Sequence, residues 1–192
     1  MKKRVWTVVT VLGILFLAGA AGLTLWNFNT DQAAAEESRS LLTELAEAIP
    51  EVEAQPVFPV ENGMPVVEVE GQNYMGAINF PDLDRELPVL ASYELEKLKI
   101  APAVYHGTPT TGDLVICAHN YRSHFGPLQR LPIGAQVLLK AVDGNLYEYQ
   151  VAATEVVSPF AVADVTSGEW DLTLFTCTLG GRTRYVVRCD LI

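Results

Sequence analysis

Cysteine is scarce in this chain, since Cys117, Cys177 and Cys189 are the only three among 192 residues. Three thiols are too few, and odd in number, for the disulfide framework of a small secreted scaffold. If the chain is exported, at least one thiol therefore stays unpaired. A free thiol in an exported protein is a candidate for reactivity, so the surroundings of each cysteine matter.

Positive charge is also scarce, with 13 lysines and arginines against 23 aspartates and glutamates and a formal net charge of −10. This acidic balance argues against binding of nucleic acid or anionic lipid through bulk electrostatics. We therefore expect no nucleic-acid partner. The balance suits an amine-bearing or cationic partner, although a solvated acidic surface is the commoner explanation.

No charged residue occurs between Arg4 and Asp31. The 22 apolar or weakly polar residues from Val5 to Trp26 would form about 33 Å of helix, enough to span a hydrocarbon layer of ~30 Å. A cleavable signal peptide is the alternative, but its apolar region normally spans only about 7–15 residues. The basic start at positions 2–4 belongs in the cytoplasm by the positive-inside rule. We expect a single-pass protein of the cell membrane, with everything after Trp26 outside.

Composition predicts three domains along the chain: 1–30 as the basic start and membrane anchor, 31–65 as an extracellular helix and proline-rich linker, and 66–192 as a globular domain. Leu41, Leu45 and Ile49 recur every four residues and predict a short amphipathic helix that is either a spacer or packed on the domain. The 16-residue stretch from Pro50 to Pro65 carries four prolines, which predicts an extended linker.

The third part has the texture of an all-β barrel or sandwich, with short strands separated by turn residues. "DGN" at 143–145 is a hairpin signal, 92–100 is a candidate short helix, and 124–131 could form one helical turn. The predicted strands are 67–69, 74–79, 87–90, 103–105, 113–118, 136–140, 146–156, 172–177 and 184–190.

Two of these strands end on residues that can carry chemistry. His119 follows the apolar run Leu114–Ala118, and Cys177 follows the run Leu172–Thr176. After a short glycine turn, Arg184 opens the last strand. Acyl transfer by a thiol needs a thiolate that attacks a carbonyl, an acid that protonates the leaving amine, and a cation that stabilises the oxyanion.

The stretches "AHNYRSHFGPL", "TLFTC" and "RYVVR" together resemble the sortases, the membrane-anchored cysteine transpeptidases of Gram-positive bacteria. The resemblance covers about 66–192 and extends to the N-terminal anchor. It implies an eight-stranded β-barrel with Cys177 as nucleophile, His119 as general acid and base, and Arg184 as the cation that binds the oxyanion and the substrate.

The resemblance also implies the reaction. Sortases cleave an LPXTG-like C-terminal sorting signal of surface proteins after its threonine, form a thioacyl enzyme, and transfer the acyl group to an amine of a cell-wall precursor or a pilin lysine. Beside the catalytic set, we expect Thr176, Asn120 and Phe125 to contact the substrate.

Two departures from the family pattern bear on the class. Only six residues, "TLGGRT", connect Cys177 to Arg184, and the segment before the cysteine strand has no room for the long helix of class B. The calcium-dependent class A pattern needs several carboxylates before the histidine strand, where "YHGTPTTGD" offers Asp113 alone. We therefore expect no metal and no cofactor, and a class D or related small sortase.

Strand alternation distinguishes the three arginines that follow Cys177. Arg184 and Arg188 share an outward face, while Tyr185, Val187 and Cys189 form the opposite, interior face. Arg188 lies about 13 Å further along the strand at ~3.3 Å per residue, too far to reach an oxyanion at Cys177. Arg182 falls in the glycine turn. Arg184 is therefore the predicted cation.

Two other functions remain as alternatives. An L,D-transpeptidase is also a cysteine acyltransferase on a β fold, but that family has an arginine two residues after the cysteine, where this chain has Leu179. A catalytically inactive surface adhesion or scaffold domain is the other alternative, and the complete cysteine, histidine and arginine set argues against it.

Overall fold

The computed structural model describes residues 2–48 and 58–192, with side chains described from residue 11 onward. These residues form two compact units, one ending at Ala33 and one beginning at Ala34. Ile49 and the linker residues up to 57 lie outside the described residues. The division into domains 1–30, 31–65 and 66–192 stays a prediction.

The apolar helix and the amphipathic helix that the sequence predicts both lie within one continuous helix, α1 (Lys2–Ala48). No glycine or proline occurs between Trp26 and Ala48, so no residue there ends the helix. Within Val11–Ala48, an 18-residue stretch has a mean hydropathy of 1.8, and none of its residues is buried. By length and composition, this apolar helix fits a membrane anchor.

From Ala34 onward, α1 contributes a buried stripe to the second unit. Ala34, Ser38, Leu41 and Leu45 are each at most 4% exposed and recur at helical spacing. Leu41 and Leu45 pack in a cluster with residues of the β domain, among them Tyr74. The stripe that the sequence predicted is therefore a packed surface of this unit.

Eleven strands follow among the described residues, and the nine predicted strands correspond to the last nine of them. Their bounds are β1 (Val60–Glu61), β2 (Met64–Pro65), β3 (Val67–Val69), β4 (Gln72–Phe80), β5 (Arg85–Leu90), β6 (Ala103–His106), β7 (Leu114–Ala118), β8 (Gln136–Ala141), β9 (Leu146–Val157), β10 (Leu172–Cys177) and β11 (Arg184–Leu191).

Eight of these strands close into a barrel in the order β4-β5-β6-β7-β10-β11-β9-β8, and pairing of β8 with β4 completes the ring. β3 extends the sheet at β4, and β1 pairs with β2 alone. The β7–β10 and β5–β6 pairs are parallel, and the other pairs are antiparallel. The all-β, eight-stranded barrel expected from the sequence is confirmed.

Gly76 permits the closure of the barrel. It pairs with Ala141 across the β4–β8 contact, next to a register shift in β4. A Cβ at this position would lie 2.1 Å from the carbonyl oxygen of Lys140. Only glycine allows the two backbones to approach this closely, so the joint of the ring depends on it.

The predicted turns and short helices are partly confirmed. The turn at Asp143–Asn145 joins β8 to β9, and a 3-10 helix forms at Gly126–Arg130. The helix predicted over 92–100 is wrong, because only Lys97–Lys99 form a 3-10 turn. A nine-residue segment is too short to be stable as an isolated helix, so its contacts with the barrel decide its conformation.

Residues 60–65, predicted as linker, form the β1–β2 hairpin instead. Asn62 and Gly63 at its tip have φ angles of 50° and 80°. Asn-Gly is the preferred pair for a two-residue hairpin turn that needs positive φ at both positions. The local turn signal therefore prevailed over the high proline content.

A short helix, α2 (Val162–Val165), lies between β9 and β10. The barrel interior is filled by apolar side chains from every strand of the ring and from the loop after β7, including Phe125 and Leu128. Val187 and Cys189 belong to this interior and Tyr185 packs against it, as the alternation in β11 predicted.

Candidate active site

Three strand ends bring the predicted catalytic residues together. β7 and β10 run parallel, and their pairing ends at Ala118 opposite Thr176. His119 and Cys177 are the next residues on these neighbouring strands. On the other side of β10, Cys177 pairs directly with Arg184 of β11. The topology therefore places all three residues at one edge of the barrel.

Strand alternation also puts them on one face. Leu172 and Leu174 of β10 point into the barrel core. Phe175 and Cys177, at the intervening positions, therefore point outward, and Cys117 and His119 share this face because β7 is in parallel register with β10. The sequence predicts this arrangement once the strand register is known.

Thr176 joins the two strand ends. Its side chain is 1% exposed, and its hydroxyl donates a 2.8 Å hydrogen bond to the carbonyl oxygen of Ala118. The bond links the residue before Cys177 to the residue before His119. Because the bonded groups are buried, the bond limits relative movement of the two strand ends.

A cavity of about 260 Å³ opens beside Cys177 and Arg184. Three aromatic side chains line it. The ring of Tyr105 meets those of Tyr93 and Phe175 edge to face, with centroid distances of 5.2 Å and 5.3 Å. The other lining residues are Leu95, Leu98, Cys117, Ala118, Ser158, Pro159, Ala161, Val162, Val165 and Thr176.

Most of these lining residues were not predicted from the sequence. Strand alternation could have identified Phe175, which lies two residues before Cys177 on the same strand face. Tyr93 and Tyr105 carry no such signal, because they reach the cavity from a loop and from β6. Val162 and Val165 come from α2, which is too short to show a periodic pattern in the sequence. The apolar, aromatic lining suits an aliphatic peptide segment.

His119 is half-buried beside the cavity and outside its lining. Its ring stacks on Tyr121 with a centroid distance of 4.8 Å and an interplanar angle of 16°. Burial and the ammonium group of Lys99 lower the pKa of His119 below its ordinary value, while the carboxylate of Glu96 acts in the opposite direction. The neutral imidazole is therefore the favoured form at neutral pH.

Arg184 is held by the turn that precedes it. Its guanidinium group donates hydrogen bonds of 3.1 Å and 3.2 Å to the carbonyl oxygens of Gly181 and Thr183. Gly180 and Gly181 have φ angles of 82° and 71°, which residues with a side chain rarely adopt. The connection is thus a tight, glycine-dependent turn, and it brings the guanidinium group to the cavity.

The three cysteines differ in reactivity. Burial raises the pKa values of Cys117 and Cys189 to about 12, so both remain protonated thiols at neutral pH. Cys177 is only partly buried and lines the cavity. All three are free thiols. Cys177 is therefore the thiol that a molecule in the cavity can reach.

The structure does not bring every predicted substrate contact to the cavity. Thr176 lines it, whereas Asn120 is exposed outside its lining. Phe125 is 0% exposed and packs edge to face on Phe80, with the centroids 5.8 Å apart. Phe125 belongs to the buried core of the barrel. The substrate contacts of Thr176, Asn120 and Phe125 stay predictions.

His124 is a second histidine of the same loop, and it too is buried, at 1% exposure. Its Nε2 atom lies 3.4 Å from the hydroxyl oxygen of Ser38 on α1. The ring therefore contacts the helix stripe rather than the cavity. In 2–48 and 58–192, no group of three or more histidine, cysteine, aspartate or glutamate residues could hold a metal ion.

Comparison with known proteins gives the same family at two levels. A family model described as the sortase domain matches residues 78–192, more than half of the chain. No curated protein matches the chain.

Solved structures similar to this chain include sortase C1 from Streptococcus agalactiae, with 25% identity, a TM-score of 0.57, and coverage of 65% of this chain and 70% of that one. A sortase D5 transpeptidase from Clostridium perfringens has 17% identity and a TM-score of 0.56, covering 85% and 99% of the two chains. Sortase C from Streptococcus pneumoniae has 22% identity and a TM-score of 0.58, covering 85% and 89%. The last two likenesses concern the fold alone.

Proposed function

Because the chain belongs to the sortase family of cysteine transpeptidases, we propose that Cys177, His119 and Arg184 are its catalytic residues. The observation that carries the proposal is the strand register. Cys177 pairs with Arg184 on one side and follows the Thr176–Ala118 pair on the other, next to His119. The cavity beside Cys177 supplies room for a peptide.

In the first half of the reaction, the thiolate of Cys177 attacks the carbonyl carbon of the threonine in a sorting signal. The oxygen gains negative charge, and the guanidinium group of Arg184 donates hydrogen bonds to it. The imidazolium of His119 gives its proton to the leaving amine as the C–N bond breaks. A thioester between the substrate and Cys177 remains.

In the second half, an amine attacks the thioester carbonyl and loses a proton to the neutral imidazole of His119. The C–S bond breaks, and the thiolate of Cys177 is restored. The low pKa of His119 favours this proton-accepting form and makes the imidazolium needed for the first half the minority form at neutral pH.

The substrate is an LPXTG-like C-terminal sorting signal of a surface protein. The aromatic and aliphatic lining, including Tyr105, Phe175 and Val165, matches the apolar residues of such a signal. The accepting amine belongs to a cell-wall precursor or to a pilin lysine. Sortases named A, C and D share this fold, and class D stays our prediction for this chain.

The N-terminal helix supports a location at the membrane. Its apolar stretch is long enough to span a bilayer, and the basic residues at 2–4 favour a cytoplasmic start. The catalytic unit would then lie outside the cell, close to the membrane, where exported surface proteins and cell-wall precursors meet.

The test is a transpeptidation assay with the protein from residue 31 onward, a peptide containing an LPXTG-like sequence, and an oligoglycine or lysine amine. Mass spectrometry should detect the peptide cleaved after threonine and joined to the amine. Cys177→Ala should abolish both cleavage and transfer. Cleavage that persists in Cys177→Ala would overturn the proposal, and so would the absence of turnover across a panel of LPXTG-like sequences.

A further inference from the structure

Arg188 is a buried arginine that the catalytic steps do not use. Its side chain is 5% exposed, on the same strand face as Arg184 but four residues further along β11. A surface arginine needs no explanation, whereas a buried guanidinium group must have partners for its donors and its charge.

The partners of Arg188 come from three elements. Its Nε and Nη2 atoms lie 2.8 Å and 2.7 Å from one carboxylate oxygen of Glu155 on β9. Its Nη1 donates a 3.0 Å hydrogen bond to the hydroxyl oxygen of Thr173, the residue opposite it on β10. These contacts fix the plane of the guanidinium group against the barrel wall.

The remaining donors reach α2. Nη2 donates a 2.9 Å hydrogen bond to the carbonyl oxygen of Asp164, and Nη1 lies 3.5 Å from the carbonyl oxygen of Val165. These are the last two carbonyls of a four-residue helix, where carbonyl groups lack partners within the helix. A cation is also favourable at a helix C-terminus.

A helix this short does not hold its shape by itself. Its internal hydrogen bonds run from the amides of Val165 and Thr166 to the carbonyl oxygens of Ala161 and Val162. The contacts with Arg188 add a link between this turn and the barrel. Val162 and Val165, three residues apart on one helix face, line the cavity beside Cys177.

We propose that Arg188 is a positioning residue that fixes α2 as one wall of the substrate cavity, so that it sets substrate affinity without touching the reacting atoms. This inference rests on the proposed function of the Cys177 site. All three guanidinium nitrogens are engaged by Glu155, Thr173 and α2, so Arg188 has no free donor to offer to the oxyanion.

The kinetic test is Arg188→Met in the peptide-cleavage assay. We expect KM for the sorting-signal peptide to rise by about tenfold or more, with kcat within about threefold of the parent, because uniform binding is lost while the reacting groups stay in place. Arg130→Met is the matched control, since Arg130 is exposed on the 3-10 helix after β7. A fall in kcat at unchanged KM would overturn the inference.

Amide hydrogen exchange tests the same idea without the reaction. In Arg188→Met the amides of Val165 and Thr166 should exchange faster, while those of Tyr185 and Val187 in β11 stay protected. Unchanged exchange at Val165 and Thr166 would refute the proposal that Arg188 fixes α2. This measurement needs no substrate, so it tests the role of Arg188 separately from the proposed function. The role of Arg188 can be refuted while Cys177-dependent transfer persists, and it can be supported even if no transfer is found.

Two further variants cover the case in which Arg188→Met does not fold. Glu155→Gln keeps the shape of the acceptor and removes its charge. It should therefore raise KM and speed up amide exchange at Val165 and Thr166, in each case by less than Arg188→Met does. Combining Arg188→Met, or Glu155→Gln in its place, with Val162→Ala should raise KM by less than the product of the single effects, because both changes act through α2. Multiplicative effects would show that Arg188 acts by another route.

Discussion

Cys177 and Arg184 are opposite each other in the antiparallel β10–β11 pair, as the last residue of one strand and the first residue of the next. Residues directly opposite on a sheet have side chains on the same face, about 4.5–5.5 Å apart at Cβ. The six-residue turn between them therefore sets the geometry of the proposed oxyanion site. With a longer and less ordered connection, the position of Arg184 relative to Cys177 would depend on the conformation of that loop.

Replacing Arg184 should separate it from its neighbours. We expect Arg184→Ala to lower kcat on the order of 10²–10³-fold, the range for loss of an oxyanion donor. Arg184→Lys should restore little, because an ammonium group cannot reproduce a planar fork of donors. Peptide cleavage at saturating substrate measures both variants. Arg182→Ala, in the exposed part of the turn, is the control, and a larger loss there would show that the site register is wrong.

Alkylation should single out Cys177. At pH 7 to 8, iodoacetamide should modify the folded protein once, at Cys177, since Cys117 and Cys189 are buried with pKa values raised to about 12. Peptide mapping by mass spectrometry locates the adduct. Cys177→Ala should take up no reagent until it is unfolded. Rapid modification of Cys117, which lines the same cavity, would contradict the assigned difference between the two thiols.

The protonation of His119 should respond to two neighbouring side chains. Lys99 lowers its pKa and Glu96 raises it, so Lys99→Gln should move the NMR titration midpoint of the His119 ring upward and Glu96→Gln should move it downward. The upper limit of the pH range for cleavage should move the same way if His119 acts as the acid. A limit that stays fixed while the ring titration moves would identify another acid.

The lowered pKa of His119 also makes the stability of the folded protein decrease as the pH falls. Between the folded pKa and the ordinary value of 6.5, the unfolded chain binds more protons at this residue than the folded protein does. This contribution to the unfolding free energy is therefore full above pH 6.5 and is lost as the pH falls through that window. Denaturant melts of the parent and His119→Gln at several pH values measure it.

The sequence predicted the strands better than it predicted the cavity, for a physical reason. Alternating apolar residues mark each strand locally, so β3 and β10 were predicted with their observed bounds. The cavity depends on contacts between elements distant in sequence, such as Tyr93, Tyr105 and Phe175. Such contacts leave no periodic signal in a single chain. Phe125 shows the converse, because a position near His119 did not reveal that its side chain points inward.

Arg188 shows the limit of strand alternation. Alternation correctly put it outside the barrel interior, yet it is 4% exposed because α2 covers that part of the outer face. An outward-facing residue is solvent-exposed only when no loop packs over it. The sequence carried no pattern that would have predicted where the segment between β9 and β10 packs.

The last prediction concerns the part of α1 that belongs to the catalytic unit. A protein that begins at residue 31 keeps the stripe of Ala34, Ser38, Leu41 and Leu45, and it should be soluble, monomeric and active. Loss of activity without unfolding would mean that residues 1–30 contribute to the site.

Within that shortened protein, Leu41→Ala should lower the unfolding free energy by about 2–4 kcal/mol, because it removes a side chain that is 2% exposed and packed against the barrel surface. Leu146→Ala is the matched control, since Leu146 is 54% exposed at the start of β9 and should change stability by less than about 0.5 kcal/mol. Urea melts measure both variants. Equal effects in the two would show that the α1 stripe is not packed in solution, and a protein beginning at residue 58 should then be as stable as one beginning at residue 31.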